Sequence, residues 1–111
     1  MQITTEQYGD VIVVRLEDEL TQENVSRFEA VLEHPQEDGT RNIVIDMEKT
    51  ESLDNAGLEA LDDLIRRLNA CDGQLKMSGL GPTCRKIFEL TRFDRRVDIF
   101  DSLLDAVRSF H

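Results

Sequence analysis

Basic residues, cysteines, histidines and long apolar runs are all scarce in this chain, and each scarcity removes a class of function. Thirteen Lys and Arg stand against 23 Asp and Glu over 111 residues, for a formal net charge of −10. Such a surface repels phosphate backbones and anionic headgroups, so neither nucleic-acid binding nor direct membrane binding is expected. No run of about 18 apolar residues occurs, and the N-terminus lacks a basic, apolar and small-residue progression. Neither a membrane span nor a signal peptide is therefore expected, and the expected location is cytoplasmic. Cys71 and Cys84 are the two cysteines. They lie far from any Cys-x-x-Cys or Cys/His spacing, so they read as structural thiols in a reducing compartment. Catalysis needs a nucleophile, a base or a metal held by neighbours. His34 precedes a proline in a loop and His111 is the last residue, so neither has a plausible partner. Gly79-Leu80-Gly81-Pro82 has no third glycine and no Gly-Lys-Ser/Thr follows, which makes it a strand-to-helix turn and not a phosphate cradle. No enzyme, no metal and no cofactor is expected.

What remains is a foldable core. The 40% hydrophobic content suits one domain over residues 1–111, of a size that buries roughly 65% of its unfolded surface. Val11 to Leu16 is β-branched and nearly continuous, as in a strand buried on both faces. Tyr8-Gly9-Asp10 offers a turn, so Gln2 to Gln7 is predicted to pair antiparallel with it. Thr21 is the predicted cap of a helix with Val25, Phe28, Ala30, Val31 and Leu32 inward, ended by His34-Pro35 and Asp38-Gly39. A strand over Asn42 to Met47 follows, then a polar loop, then a helix beginning near Asp54. Its apolar stripe is Leu58, Leu61, Leu64, Ile65 and Leu68, with Asp62→Arg66 and Asp63→Arg67 pairs on the outer face. Gly73 is the expected left-handed terminator.

Leu75 to Ser78 reads as a short strand, and Gly81-Pro82 opens a helix with Cys84, Ile87, Phe88 and Leu90 inward. Val97 to Phe100 is the last strand. Asp101 is the predicted cap of a helix carrying Leu103, Leu104, Val107 and Phe110 inward. A hairpin followed by alternating helix and strand gives an α/β fold with a mixed β-sheet and about four helices.

The most informative stretch runs from Asp46 to Leu58. It leaves the central strand and enters a helix through Asp54-Asn55-Ala56-Gly57-Leu58. This resembles the signature of STAS domains, the family that includes bacterial anti-sigma-factor antagonists. In those antagonists the turn reads Asp-Ser-Ser-Gly-Leu or Asp-Ser-Thr-Gly-Leu, and a partner kinase phosphorylates the second hydroxyl residue. Ala56 occupies that position here. A second patch, Cys84 to Asp94 and then Val97 to Leu103, is similar to the family's C-terminal pattern, except that Arg92 stands where glycine is common. The resemblance covers essentially the whole chain and implies the STAS fold.

It also implies a non-enzymatic signalling domain that binds a protein partner, such as an anti-sigma factor with a kinase fold. The implied partner-binding surface is Ser52, Asp54, Asn55, Ala56, Gly57 and Leu58, with Ala56 at the phosphoacceptor-equivalent position. Thr50 and Ser52 are the nearby hydroxyls to which phosphorylation could have moved, although Ser52 sits where the family usually has an apolar residue. The alternative is a cytoplasmic STAS accessory subunit of a transporter or sensor assembly. From the residues alone, Asp54-Asn55-Ala56-Gly57 is also a complete helix start, with Asp54 accepting backbone N–H groups. Asp46 and Asp54 do not make a receiver-type phosphorylation site: no acidic pair follows the first parallel strand, and Asp101 stands where a lysine should follow the last.

Overall fold

The computed structural model describes residues 2–37 and 41–110, the side chains of 33–37 excepted. Ile3–Tyr8 (β1) and Val11–Leu20 (β2) form the hairpin, turning at Gly9, whose φ of +63° is costless for glycine. Val25–Glu37 (α1), Asn42–Leu53 (β3), Asn55–Ala70 (α2), Gln74–Ser78 (β4), Pro82–Thr91 (α3), a 3₁₀ turn at Phe93–Arg95, Asp98–Phe100 (β5) and Leu103–Arg108 (α4) complete the order. The sheet runs β1-β2-β3-β4-β5, with β1 antiparallel to β2 and every other pairing parallel. This is the mixed α/β architecture with four helices that the hydrophobic pattern predicts.

Right-handed crossovers along a monotonic strand order carry α1, α2 and α3 to the same face. The principal core lies there: Ile43, Ile45 and Met47 of β3 share one buried cluster with Phe28, Leu32, Leu61, Leu64, Leu68, Cys84 and Phe88. The strand period of two sends Val44 the other way, into a smaller cluster with Val11, Val13 and Ala106 of α4. Three consecutive apolar residues in β3 thus serve two layers, and the α2 stripe meets only Ile43 and Ile45 of them.

Several expectations are corrected. Residues 48–53 are not a loop: β3 continues to Leu53 because β2 continues to Leu20 beside it, with register shifts between Arg15 and Glu17 and between Asp18 and Glu19. Asp18 takes φ +74° to make the second shift. The polar composition concealed this strand, since Thr50 lies inside it at 4% exposure with its hydroxyl donating to the Leu16 carbonyl at 2.8 Å. In the turn before α1, the side-chain bonds come from Asn24, not from Thr21: its Oδ1 accepts from the Thr21 N–H at 2.8 Å and its amide donates to the Glu19 carbonyl at 2.7 Å. The helix also runs past His34-Pro35 to Glu37; a proline there removes one N–H bond and crowds one carbonyl, a disturbance confined to the final turns. Asp38-Gly39 and His111 lie outside the described residues.

The left-handed residue after α2 is Asp72, at φ +62°, and not Gly73. Gly73 is needed for another reason, since a Cβ there would stand 2.2 Å from the Arg41 carbonyl oxygen. Arg92 keeps the left-handed conformation in the absence of glycine, with φ 61° and ψ 20°, at a cost of roughly 1–2 kcal/mol. Ala30 and Leu90 face solvent, the latter at 72% exposure. Ser102 caps α4 in place of Asp101, accepting from the Asp105 N–H at 3.1 Å. A one-residue shift of that helix turns Ala106 inward and leaves Leu104 57% exposed. On α2, Asp62 accepts from Arg66 at 2.5 Å as expected, whereas Asp63 lies 3.7 Å from Arg66 and not beside Arg67.

Candidate functional site

Two turns that are distant in sequence meet at the start of α2. Asp54 is the N-cap, in extended conformation, and its two carboxylate oxygens serve different partners. Oδ1 accepts from the Gly57 N–H at 2.9 Å, while Oδ2 accepts from the Gln22 N–H at 3.1 Å. The Asp54 N–H in turn donates to the Leu20 carbonyl at 3.3 Å. One carboxylate thus satisfies a donor the helix start would otherwise leave orphaned and fastens that start to the turn after β2. Gln22 is a residue the sequence does not flag, because its bond to Asp54 spans 32 positions and uses only a backbone N–H.

Gly57 is buried, and its missing side chain is filled from within: a Cβ there would lie 2.4 Å from the Leu20 carbonyl oxygen. Around it, Asp54 and Asn55 are exposed, whereas Ser52, Ala56 and Leu58 are half-buried. The structure therefore brings all six predicted surface residues into one corner, with Ala56 presenting a methyl group at the helix entrance. Thr50, by contrast, is buried in β3 with its hydroxyl committed to Leu16. Exposed Glu23, Asp54 and Glu59 make this corner acidic. A cleft of about 210 Å³ opens beside it, lined by Leu58, Glu59, Asp62, Thr91, Phe93 and Arg96.

The Gly57 N–H and then the Gln22 N–H hold the Asp54 carboxyl below its ordinary value. A lowered folded value means the native state favours the ionised form, so the stabilisation is present above the ordinary aspartate range and disappears as pH falls through the depressed value. The melting-temperature difference between wild type and Asp54→Ala is accordingly expected to be full at pH 7 and to close in strong acid. A difference that does not change between pH 7 and pH 2 would show that the carboxylate bonds contribute nothing.

Burial pushes the Cys84 thiol up, and its sulfur lies 3.6 Å from the Thr50 carbonyl, as fits a packed thiol. Cys71 is exposed at the end of α2. Among the described residues, no three His, Cys, Asp or Glu gather as a metal cage, and no helix is long and apolar enough to cross a membrane.

Comparison with known proteins places the fold in a family. The STAS domain family model matches residues 2–106. The anti-sigma-B factor antagonist of Staphylococcus aureus is 31% identical over 78 residues, covering 70% of this chain and 72% of that one. The crystal structure of an anti-sigma factor antagonist from Mycobacterium paratuberculosis superposes with a TM-score of 0.87 at 24% identity, covering 97% of this chain and 92% of that one. The Bacillus cell fate determinant SpoIIAA in its phosphorylated form gives 0.78 at 20% identity, covering 99% of this chain and 100% of the other. With a family model spanning nearly the whole fold and a relative of this identity, the chain belongs to the STAS domain family, among members that resemble anti-sigma factor antagonists.

Proposed function

We propose that this protein is a non-enzymatic regulator that binds an anti-sigma factor of kinase fold through the corner formed by Ser52, Asp54, Asn55, Ala56, Gly57 and Leu58. Ala56 keeps that surface permanently in its unphosphorylated-like form. The observation that carries the reading is the methyl group of Ala56 at a helix entrance that is otherwise intact. Asp54 caps it, Gly57 admits the Leu20 carbonyl, and the phosphoacceptor hydroxyl is missing at Ala56, with Asn55 in place of the first serine. SpoIIAA has been determined both phosphorylated and unphosphorylated, so a phosphate is compatible with this fold. A phosphate at that position would add roughly −1.5 to −2 charges next to the Asp54 carboxylate. Without it, the partner is held until it is displaced or consumed.

Incubation with ATP and an anti-sigma factor of the kinase type is expected to leave residues 50–58 unmodified in the wild type. Ala56→Ser should become a substrate, because free N–H groups at a helix start stabilise phosphate. Ala56→Glu should weaken partner binding by about 1–3 kcal/mol, as repelled or unpaired charge at an interface does. Mass spectrometry reads the first two outcomes and a binding titration the third. Phosphate on Ser52 of the wild type would mean that the switch moved. Unchanged affinity in Ala56→Glu would remove this corner from the interface, and copurification with a permease or its ATPase would favour the accessory-subunit reading.

A further inference from the structure

The sheet's second face is covered by one short helix, and that helix is fastened by a buried lysine. Lys76 projects from β4 into the smaller layer at 6% exposure. Its amine donates to the Ser109 hydroxyl at 2.7 Å and to the Ser109 carbonyl at 3.3 Å. It lies 4.3 Å from the centre of the Phe110 ring and 5.8 Å from that of Phe100. Among the described residues no carboxylate pairs with it, although Asp98 is its neighbour across the strands. A buried ammonium must find compensation, and here nearly all of it comes from the last turn of the C-terminal helix. The Ser109 hydroxyl donates its own hydrogen to the Ala106 carbonyl at 2.6 Å, so its lone pairs are left for the lysine. The Ser109 carbonyl is one of the groups a helix end leaves unpartnered, and a cation placed there also meets the negative end of the helix dipole.

The helix needs this help. Leu103–Arg108 is six residues long, far below the length at which an isolated helix holds itself together. Its buried apolar contact is Ala106, with Leu103, Val107 and Phe110 partly buried around Val11, Val13 and Val44. The STAS match stops at residue 106, so Ser109 and Phe110, which hold the amine, lie beyond the matched stretch.

We infer that Lys76 is a latch: its ammonium clamps the last turn of α4 to the sheet, and α4 opens as a unit, ahead of the rest of the fold, when that clamp is lost. Opening removes Leu103, Ala106, Val107 and Phe110 from over Val11, Val13 and Val44 and leaves Phe100 of β5 beside them, so the latch governs how far this apolar sheet face is exposed.

Amide hydrogen exchange of the full-length protein, read by mass spectrometry at the peptide level, tests this. In the wild type, peptides spanning 103–110 should exchange faster than those of β3. In Lys76→Met, whose thioether chain fills the same slot without charge, exchange over 103–110 should rise roughly ten-fold, as for loss of one contact to a charged group, while β3 and α2 stay unchanged. Ser109→Ala should move the same peptides in the same direction, and the double variant should be no faster than Lys76→Met alone. Equal exchange over 103–110 in wild type and Lys76→Met would overturn the latch, and so would a uniform rise across the whole chain. Should Lys76→Met fail to fold, unchanged exchange in Ser109→Ala would overturn it instead.

Discussion

Replacing Leu61 by alanine is expected to destabilise the protein by about 2–5 kcal/mol, the range for emptying a fully buried leucine site. Leu61 is 0% exposed and sits in the principal cluster with Ile43 and Ile45 of the central strand. Neighbours from a helix and from a sheet cannot collapse together into the gap, so a cavity adds to the lost transfer energy. A domain of this size holds only about 5–15 kcal/mol in total, so the denaturant midpoint should fall visibly. Leu90→Ala supplies the contrast. It lies on an amphipathic helix but is 72% exposed, and it should change stability by no more than about 0.5 kcal/mol. Coincident midpoints for Leu61→Ala and wild type would mean that α2 does not pack where the structure places it.

Gly57→Ala has the second large effect, and it links stability to the proposed docking corner. The added methyl would stand 2.4 Å from the Leu20 carbonyl oxygen, a backbone atom that cannot rotate away. Either β2 or the start of α2 must move, at about 1–3 kcal/mol by analogy with overpacked cores. Movement there also breaks the Asp54 clamp onto Gln22, so partner affinity should fall even in the fully folded fraction. Gly73→Ala separates the two effects. Its methyl would lie 2.2 Å from the Arg41 carbonyl, at the other end of α2, so it should lower stability without lowering affinity. Chemical denaturation and a binding titration on the same three proteins distinguish the outcomes, and equal affinity in Gly57→Ala and wild type would detach the corner from the interface.

Much of this molecule was legible in one dimension. The α2 stripe, the hairpin, the Asp54 cap and the α/β order follow from periodicities of 3.6 and 2 and from turn residues, all of which act within a few positions. The Asp54 to Leu58 motif marked the helix start on which the proposed docking corner is built, with Ala56 and no hydroxyl at its second helical position. The misreadings of longer segments and of buried faces share one cause, whereas the misplaced caps at Asp101 and Gly73 are one-residue shifts. Residues 48–53 read as a loop because they are polar, yet β2 extends alongside and pairs with them, and a distant strand leaves no local trace. Leu90 and Leu104 read as core because leucine at helical spacing usually is, yet among the described residues no element lies above them to exclude water.

What the sequence by itself determined is therefore local: the order of helices and strands, where the helix of the proposed docking corner starts, and that residue 56 cannot carry a phosphoester. Tertiary structure decided what depends on meeting across the chain. It set Gln22 against Asp54, the Leu20 carbonyl against Gly57, and the amine of Lys76 inside the last turn of α4. Hydrogen bonds and close approaches of this kind join backbone atoms or single side chains many residues apart. Their partners are chosen by how layers pack, which no local pattern of residues encodes.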